Sequence, residues 1–187
     1  MRLAVEHLAE RGHRRIGFVG WPADGAGGDA RRAAWSAATA GAEGTRGPEV
    51  TASSDDPDAA AAVVAPLLGR PGAAPTALVC ASDALALGAL AAVVDAGATP
   101  GRDVAITGFD DSDLASFARP GLTSLRQPIR LVAQTLVEQV LDRLGVGLGH
   151  RPAPAGLVPP ELVVRDSSAG PAPRDAVAGP TSRTTAA

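Results

Sequence analysis

The stretch Arg102–Asp111, RDVAITGFDD, decides the fold. Val104, Ala105 and Ile106 make a short apolar run suited to a buried strand. Gly108 is expected to break that strand, and Phe109, Asp110 and Asp111 follow at once. Two carboxylates therefore stand where a buried strand ends. In open α/β sheets, ligands bind in the crevice outside the carboxyl ends of the strands. An acid placed there can accept hydrogen bonds from ligand hydroxyls or amines. Thr76–Asp83, TALVCASD, repeats the arrangement: a strand, a small polar residue, then aspartate.

Outward from this stretch the chain alternates. A helix is predicted over 2–11, stopped by Gly12, and a strand over 15–20. A helix follows over 29–40, then a short weak strand over 49–52. Ser54 or Asp56 is placed to cap the next helix, 58–68. The strand 76–81 leads into a helix over 84–96 capped by Ser82 or Asp83. After Asp111 come a helical turn over 113–118 and an extended run over 121–126, bracketed by Pro120 and Pro128. Val132, Leu136, Val140 and Leu144 recur at helical spacing, which predicts an amphipathic helix over 129–144. Residues 161–165, ELVVR, read as a last strand. Beyond Asp166, small and polar residues dominate, and 166–187 is expected to be a disordered tail. Strand–helix alternation implies a parallel sheet flanked by helices. Helix 129–144 is a misfit, because few elements remain to cover its apolar stripe.

Composition narrows the function classes. The net charge is −3 and the 17 basic residues are scattered, so no basic face of the kind that neutralises many phosphates is evident. The single cysteine, Cys80, excludes an internal disulfide and a cysteine-rich zinc site. It lies inside a predicted strand, as a small buried hydrophobe does. No run of about 18 apolar residues exists to span a membrane. His7, His13 and His150 have no metal-ligand spacing. Gly25–Gly28 lacks the dinucleotide fingerprint. No nucleophile elbow, Ser–His pair or HExxH motif is present, so no catalytic residue, metal or cofactor is expected.

Several segments together resemble the effector-binding domain of LacI/GalR transcriptional regulators. They are VEHLAERGHRRIGFVGWP (5–22), Arg31–Trp35, PTALVCASDALALGALAAVVDAG (75–97), DVAITGFDD (103–111), PGLTSLRQP (120–128) and PPELVVR (159–165). The resemblance covers roughly residues 1–168. It implies the type I periplasmic-binding-protein-like fold, in which two α/β subdomains hold a small effector between them. Residues 1–125 and 157–165 correspond to the second subdomain. Residues 126–145 correspond to an element of the first, whose remainder, with the helix-turn-helix headpiece, does not precede Met1. That accounts for the misfit, since helix 129–144 packs on the first subdomain in the family.

The resemblance also implies roles. Asp110 matches the family's acidic effector contact. Arg31 matches an arginine four residues before an aromatic, here Trp35, and Arg32 is adjacent to it. The glycine usual before the aromatic is Ala34 here. Ser82 would offer a hydroxyl to the ligand while Asp83 fixes the loop or caps the helix. Ser54 stands where several members carry a stacking aromatic. Trp21, just past a strand end, is a candidate lid or stacking surface, and Gln127 a candidate contact. Trp35 is expected in the core. Asp110 and Asp111 are not expected to form a catalytic dyad, because neighbours on an extended chain point apart. Leu87, Leu90, Leu114 and Phe117 are implied at a homodimer interface. The expected function is effector sensing, with a carbohydrate or related small molecule as ligand, in a cytoplasmic regulator. DNA contact would come only through the headpiece. A sugar-binding protein of an importer, with the same fold, is the alternative. With only half the cleft in the chain, weak or absent ligand binding is expected, together with association through helix 129–144.

Overall fold

The structure is a computed structural model and describes residues 1–22, 26–40, 45–70, 72–146 and 159–171. It contains β1 (Ile16–Gly20), β2 (Arg46–Thr51), β3 (Ala77–Cys80), β4 (Ala105–Asp110), β5 (Thr123–Arg126) and β6 (Glu161–Val163). These six strands form one sheet in the order β2-β1-β3-β4-β5-β6. Neighbours are parallel from β2 through β5, and β6 returns antiparallel to β5. The helices are α1 (Arg2–Glu10), α2 (Ala26–Ala40), α3 (Pro57–Leu68), α4 (Asp83–Asp95), α5 (Asp113–Phe117) and α6 (Ile129–Arg143). No described helix is long and apolar enough to cross a membrane.

The expected architecture is present, and the reason lies in the strands. β1 and β3 are buried at every residue, as is the first part of β4. Continuous apolar runs are what a parallel sheet covered on both faces demands. Two helix pairs, α1 with α2 and α3 with α4, provide that cover. Trp35 is fully buried, stacks on Phe18 at 5.4 Å between ring centroids, and donates its indole N–H to the Ile16 carbonyl. Cys80 is buried in β3, and burial pushes its thiol up.

Three expectations are corrected. Gly108 does not end its strand: β4 continues to Asp110, with Gly108 opposite Ser124 and Asp110 opposite Arg126. The glycine is needed for close approach instead, since a Cβ there would collide with the Asp83 carboxylate. The start of the expected disordered tail is docked. Ser167 and Ser168 are fully buried. The Ser167 hydroxyl donates to the Ile106 carbonyl at 2.6 Å and accepts the Thr123 amide at 2.9 Å. The Ser168 hydroxyl bonds Thr123 Oγ1 and the His7 ring. Hydrogen bonding, not apolar area, holds this segment, which is why composition misreads it. Residues 172–187 of the expected tail lie outside the described residues, as do His150 and Gly25. Finally, Leu90 is 7% exposed and belongs to the core rather than to an outward face of α4.

Helix α6 forms as its periodicity predicts but has no buried residue. Val132, Leu136, Val140 and Leu144 are all exposed.

Candidate functional site at the strand ends

Because β1 through β4 run parallel, the loops after them emerge along one edge of the sheet. Trp21 follows β1, Asp55 follows β2, Ser82 and Asp83 follow β3, and Asp110 closes β4. Arg31 reaches this edge from the second turn of α2. Its guanidinium donates to the Ala81 carbonyl at 2.6 Å and lies 3.8 Å from Asp110 Oδ1. Its carbon sits 4.0 Å from the Phe109 ring centroid and 5.5 Å from the Trp21 ring. Aromatic faces attract a cation electrostatically, so the fork is held without a full salt bridge. Arg32 turns elsewhere, to Glu49 at 3.0 Å and Thr51 at 3.1 Å. The structure thus separates the two arginines, and Arg31 is the one at the strand ends.

Asp110 is the solvent-facing acid, with its side chain 41% exposed. Gln127 Nε2 donates to its Oδ1 at 2.6 Å, which brings the β5–α6 connection to the same place. Burial pushes the Asp110 carboxyl up, while Gln127 and Arg31 pull it down, and the charges of Asp83 and Asp55 add to the rise. Its φ of 109° lies in a region that L residues rarely adopt. Such strain persists only where surroundings over-determine it, and it clusters at ligand sites. Asp111, at φ 51°, does the opposite job. Its side chain is 5% exposed and is held by Arg126 at 2.7 Å and Arg165 at 2.6 Å. The two neighbouring acids therefore diverge, one outward and one into a buried ion-pair cluster, and are no catalytic dyad.

Asp83 is a scaffold residue. One oxygen accepts the Ser112 amide at 2.7 Å and its hydroxyl at 2.9 Å, and the other accepts the Ser124 hydroxyl at 2.6 Å. It ties the end of β3 to the turn after Asp110. Ser82 caps α4 by accepting the Leu85 amide at 3.1 Å, and its hydroxyl donates to Asp55. It is buried at 2% exposure, so it meets a ligand less openly than Asp110 does. Asp56, not Ser54, caps α3 by accepting the Ala59 amide. Ser54 is exposed on the same loop.

Of the sequence-predicted ligand residues, the fold gathers Asp110, Arg31, Gln127, Trp21 and Ser82 into one region. Sequence reasoning missed Phe109 and Asp55. Phe109 was visible only as the residue before Asp110, and Asp55 as one of several polar residues in a turn. Nothing in a single sequence says which turn residue meets Ser82. The residues expected at a homodimer interface divide. Leu114 and Phe117 project outward at 61% and 74% exposure, Leu87 is half-buried, and Leu90 is inside.

Residues 5–168 match a family model described as a periplasmic binding protein-like domain. Among curated proteins, the HTH-type transcriptional regulator MalR of Streptomyces coelicolor is 44% identical over 96 residues, covering 50% of this chain and 27% of that regulator. The lactose operon repressor of Escherichia coli is 30% identical over 174 residues, covering 91% of this chain and 46% of the repressor. The chain thus spans less than half the length of either. Among solved structures, a lac repressor dimer bound to operator and the anti-inducer ONPF superposes with a TM-score of 0.79. There the identity is 28%, over 89% of this chain and 57% of that one.

Proposed function

Because the chain belongs to the periplasmic binding protein-like domain family, in its LacI group of transcriptional regulators, we propose that it is the effector-sensing part of such a regulator. The observation that carries this reading is the Arg31–Asp110–Gln127 constellation at the strand ends, flanked by Trp21 and Phe109. A fixed guanidinium beside an exposed carboxylate offers donors and acceptors to a small polyhydroxylated ligand, and aromatic faces suit a sugar ring. Charge-assisted hydrogen bonds to Asp110 supply much of the affinity. The effector is a carbohydrate or related small molecule, and the domain binds rather than catalyses. The curated relatives above are transcriptional regulators, which favours this reading over an importer's sugar-binding protein. It also favours a cytoplasmic location.

In the intact regulator, the effector acts by binding one arrangement of the two subdomains better than the other. DNA contact belongs to a part of the regulator outside these residues. Leu114, Phe117 and Leu87 supply apolar surface for a homodimer. Only one wall of the cleft is built by this chain, so its affinity is expected to be weak.

The test is an NMR titration of the chain with a panel of mono- and disaccharides at millimolar concentration. Amide shifts confined to Trp21, Ser82, Asp110 and Gln127, abolished in Asp110→Asn, are expected. A panel that leaves those amides unmoved overturns the reading. Tight micromolar binding by a clean monomer overturns the one-walled cleft.

A further inference from the structure

The strand-end site carries an excess of negative charge that the ligand-sensing reading does not by itself use. Asp55, Asp83 and Asp110 stand near enough to one another for the charges of Asp55 and Asp83 to be felt at Asp110. Among the described residues, the one ion pair made by these three carboxylates is that of Asp110 with Arg31, at 3.8 Å. The adjoining cluster lends nothing. Asp111 is paired with Arg126 and Arg165, and Arg126 also reaches Glu161 at 3.8 Å, so two acids and two arginines balance there. The amino group of Met1 is close enough to be repelled by Arg31. Even counted as a full positive charge, it leaves a negative surplus.

Within this set Asp55 has a distinct position. Asp83 is buried, with its oxygens used by Ser112 and Ser124. Asp110 is engaged by Gln127 and Arg31. Asp55 is exposed, and one of its oxygens is fixed by the Ser82 hydroxyl. No described residue donates to its other oxygen. A carboxylate oriented by a buried helix-capping serine is pre-ordered to receive a further donor at small entropic cost.

We propose that Asp55 determines ligand choice at this site, by selecting a ligand that carries an ammonium group beside its hydroxyls over its neutral and anionic counterparts. The inference rests on the ligand-sensing reading above. An ammonium at contact distance from a solvent-exposed carboxylate gains roughly fivefold in affinity over a neutral group. A phosphorylated ligand is repelled by the same surplus.

The experiment compares three probes by NMR titration of the full chain at mildly acidic pH: D-glucosamine, N-acetyl-D-glucosamine and D-glucose 6-phosphate. The first two differ chiefly by the ammonium. The decisive variant is Asp55→Asn, which retains an oxygen to accept the Ser82 hydroxyl and removes only the charge. The expected result is about fivefold tighter binding of glucosamine than of its N-acetyl form, with the phosphate weakest. Asp55→Asn should abolish that preference, bringing the ratio of the two affinities to about one. Equal affinities, or a preference that survives Asp55→Asn, overturn the inference and leave the ligand-sensing reading intact. If no probe moves the strand-end amides, the carbohydrate reading fails and the inference falls with it.

Discussion

Single residues here are read by the company they keep. Asp110 and Asp111 are identical in chemistry and adjacent in sequence. One is an exposed acceptor and the other a buried ion-pair centre, because a residue at a strand end and its neighbour leave on different sides. His13 shows the same dependence on surroundings. It is 1% exposed. Burial first, and the nearby His7 next, lower its pKa from 6.5 to about 4. A folded-state value below the ordinary one means the neutral ring's contribution is fully present above pH 6.5. It is lost as pH falls from there towards about 4. The loss comes to about 3 kcal/mol. Urea denaturation across that window should show the slope, and His13→Leu should flatten it. His7 is also held below its ordinary value, by burial first and then by Arg11, so some slope persists. A His13→Leu profile parallel to the parent's assigns the acid sensitivity elsewhere.

At the level of elements, the hydrophobic pattern was legible wherever an element is buried along its length. The strand of TALVC and the helices over 58–68 and 84–96 appear within a residue or two of their expected bounds. Strand ends were less legible. Gly108 reads as a breaker because glycine lowers strand propensity, yet the tertiary contact with Asp83 makes it the residue that fits. Gly88 makes a parallel point inside α4. A Cβ there would overlap the Pro57 carbonyl oxygen of α3 and lie 2.9 Å from the Ala60 Cβ. Since backbone must shift, Gly88→Ala should destabilise by about 1–3 kcal/mol, despite alanine's better helix propensity. Gly69, with nothing within 4 Å of its would-be Cβ, is the control. Comparable denaturation midpoints for the two variants would show that the α3–α4 contact yields easily.

Among the described residues, two apolar surfaces stand exposed. One is the pair Leu114 and Phe117 on α5, and the other is the length of α6, from Ile129 to Leu144. A contiguous exposed apolar face of this extent marks an interaction surface. The chain spans 46% of the lactose operon repressor, and α6 is the element that packs on no substantial part of the sheet domain. In isolation the chain should therefore self-associate in sedimentation velocity. The double variant Leu136→Glu, Val140→Glu should shift it towards monomer without changing its circular dichroism. Monomer for the unaltered chain would show that α6 is tolerated in water. Association that persists in the double variant would place the contact on α5.

The sequence by itself determined the alternation of buried strands and helices, the amphipathic α6, the core position of Trp35 and the acids at the strand ends. Each of these is local: period, run length and turn chemistry are properties of neighbours along the chain. Tertiary structure alone decided that Arg31 rather than Arg32 reaches Asp110, that Asp55 meets Ser82, and that Leu90 faces inward. It also decided that Ser167 and Ser168 close the sheet's far edge instead of trailing away. These outcomes depend on which groups distant in sequence become neighbours, and on hydrogen bonds whose donors and acceptors carry no hydrophobic signal.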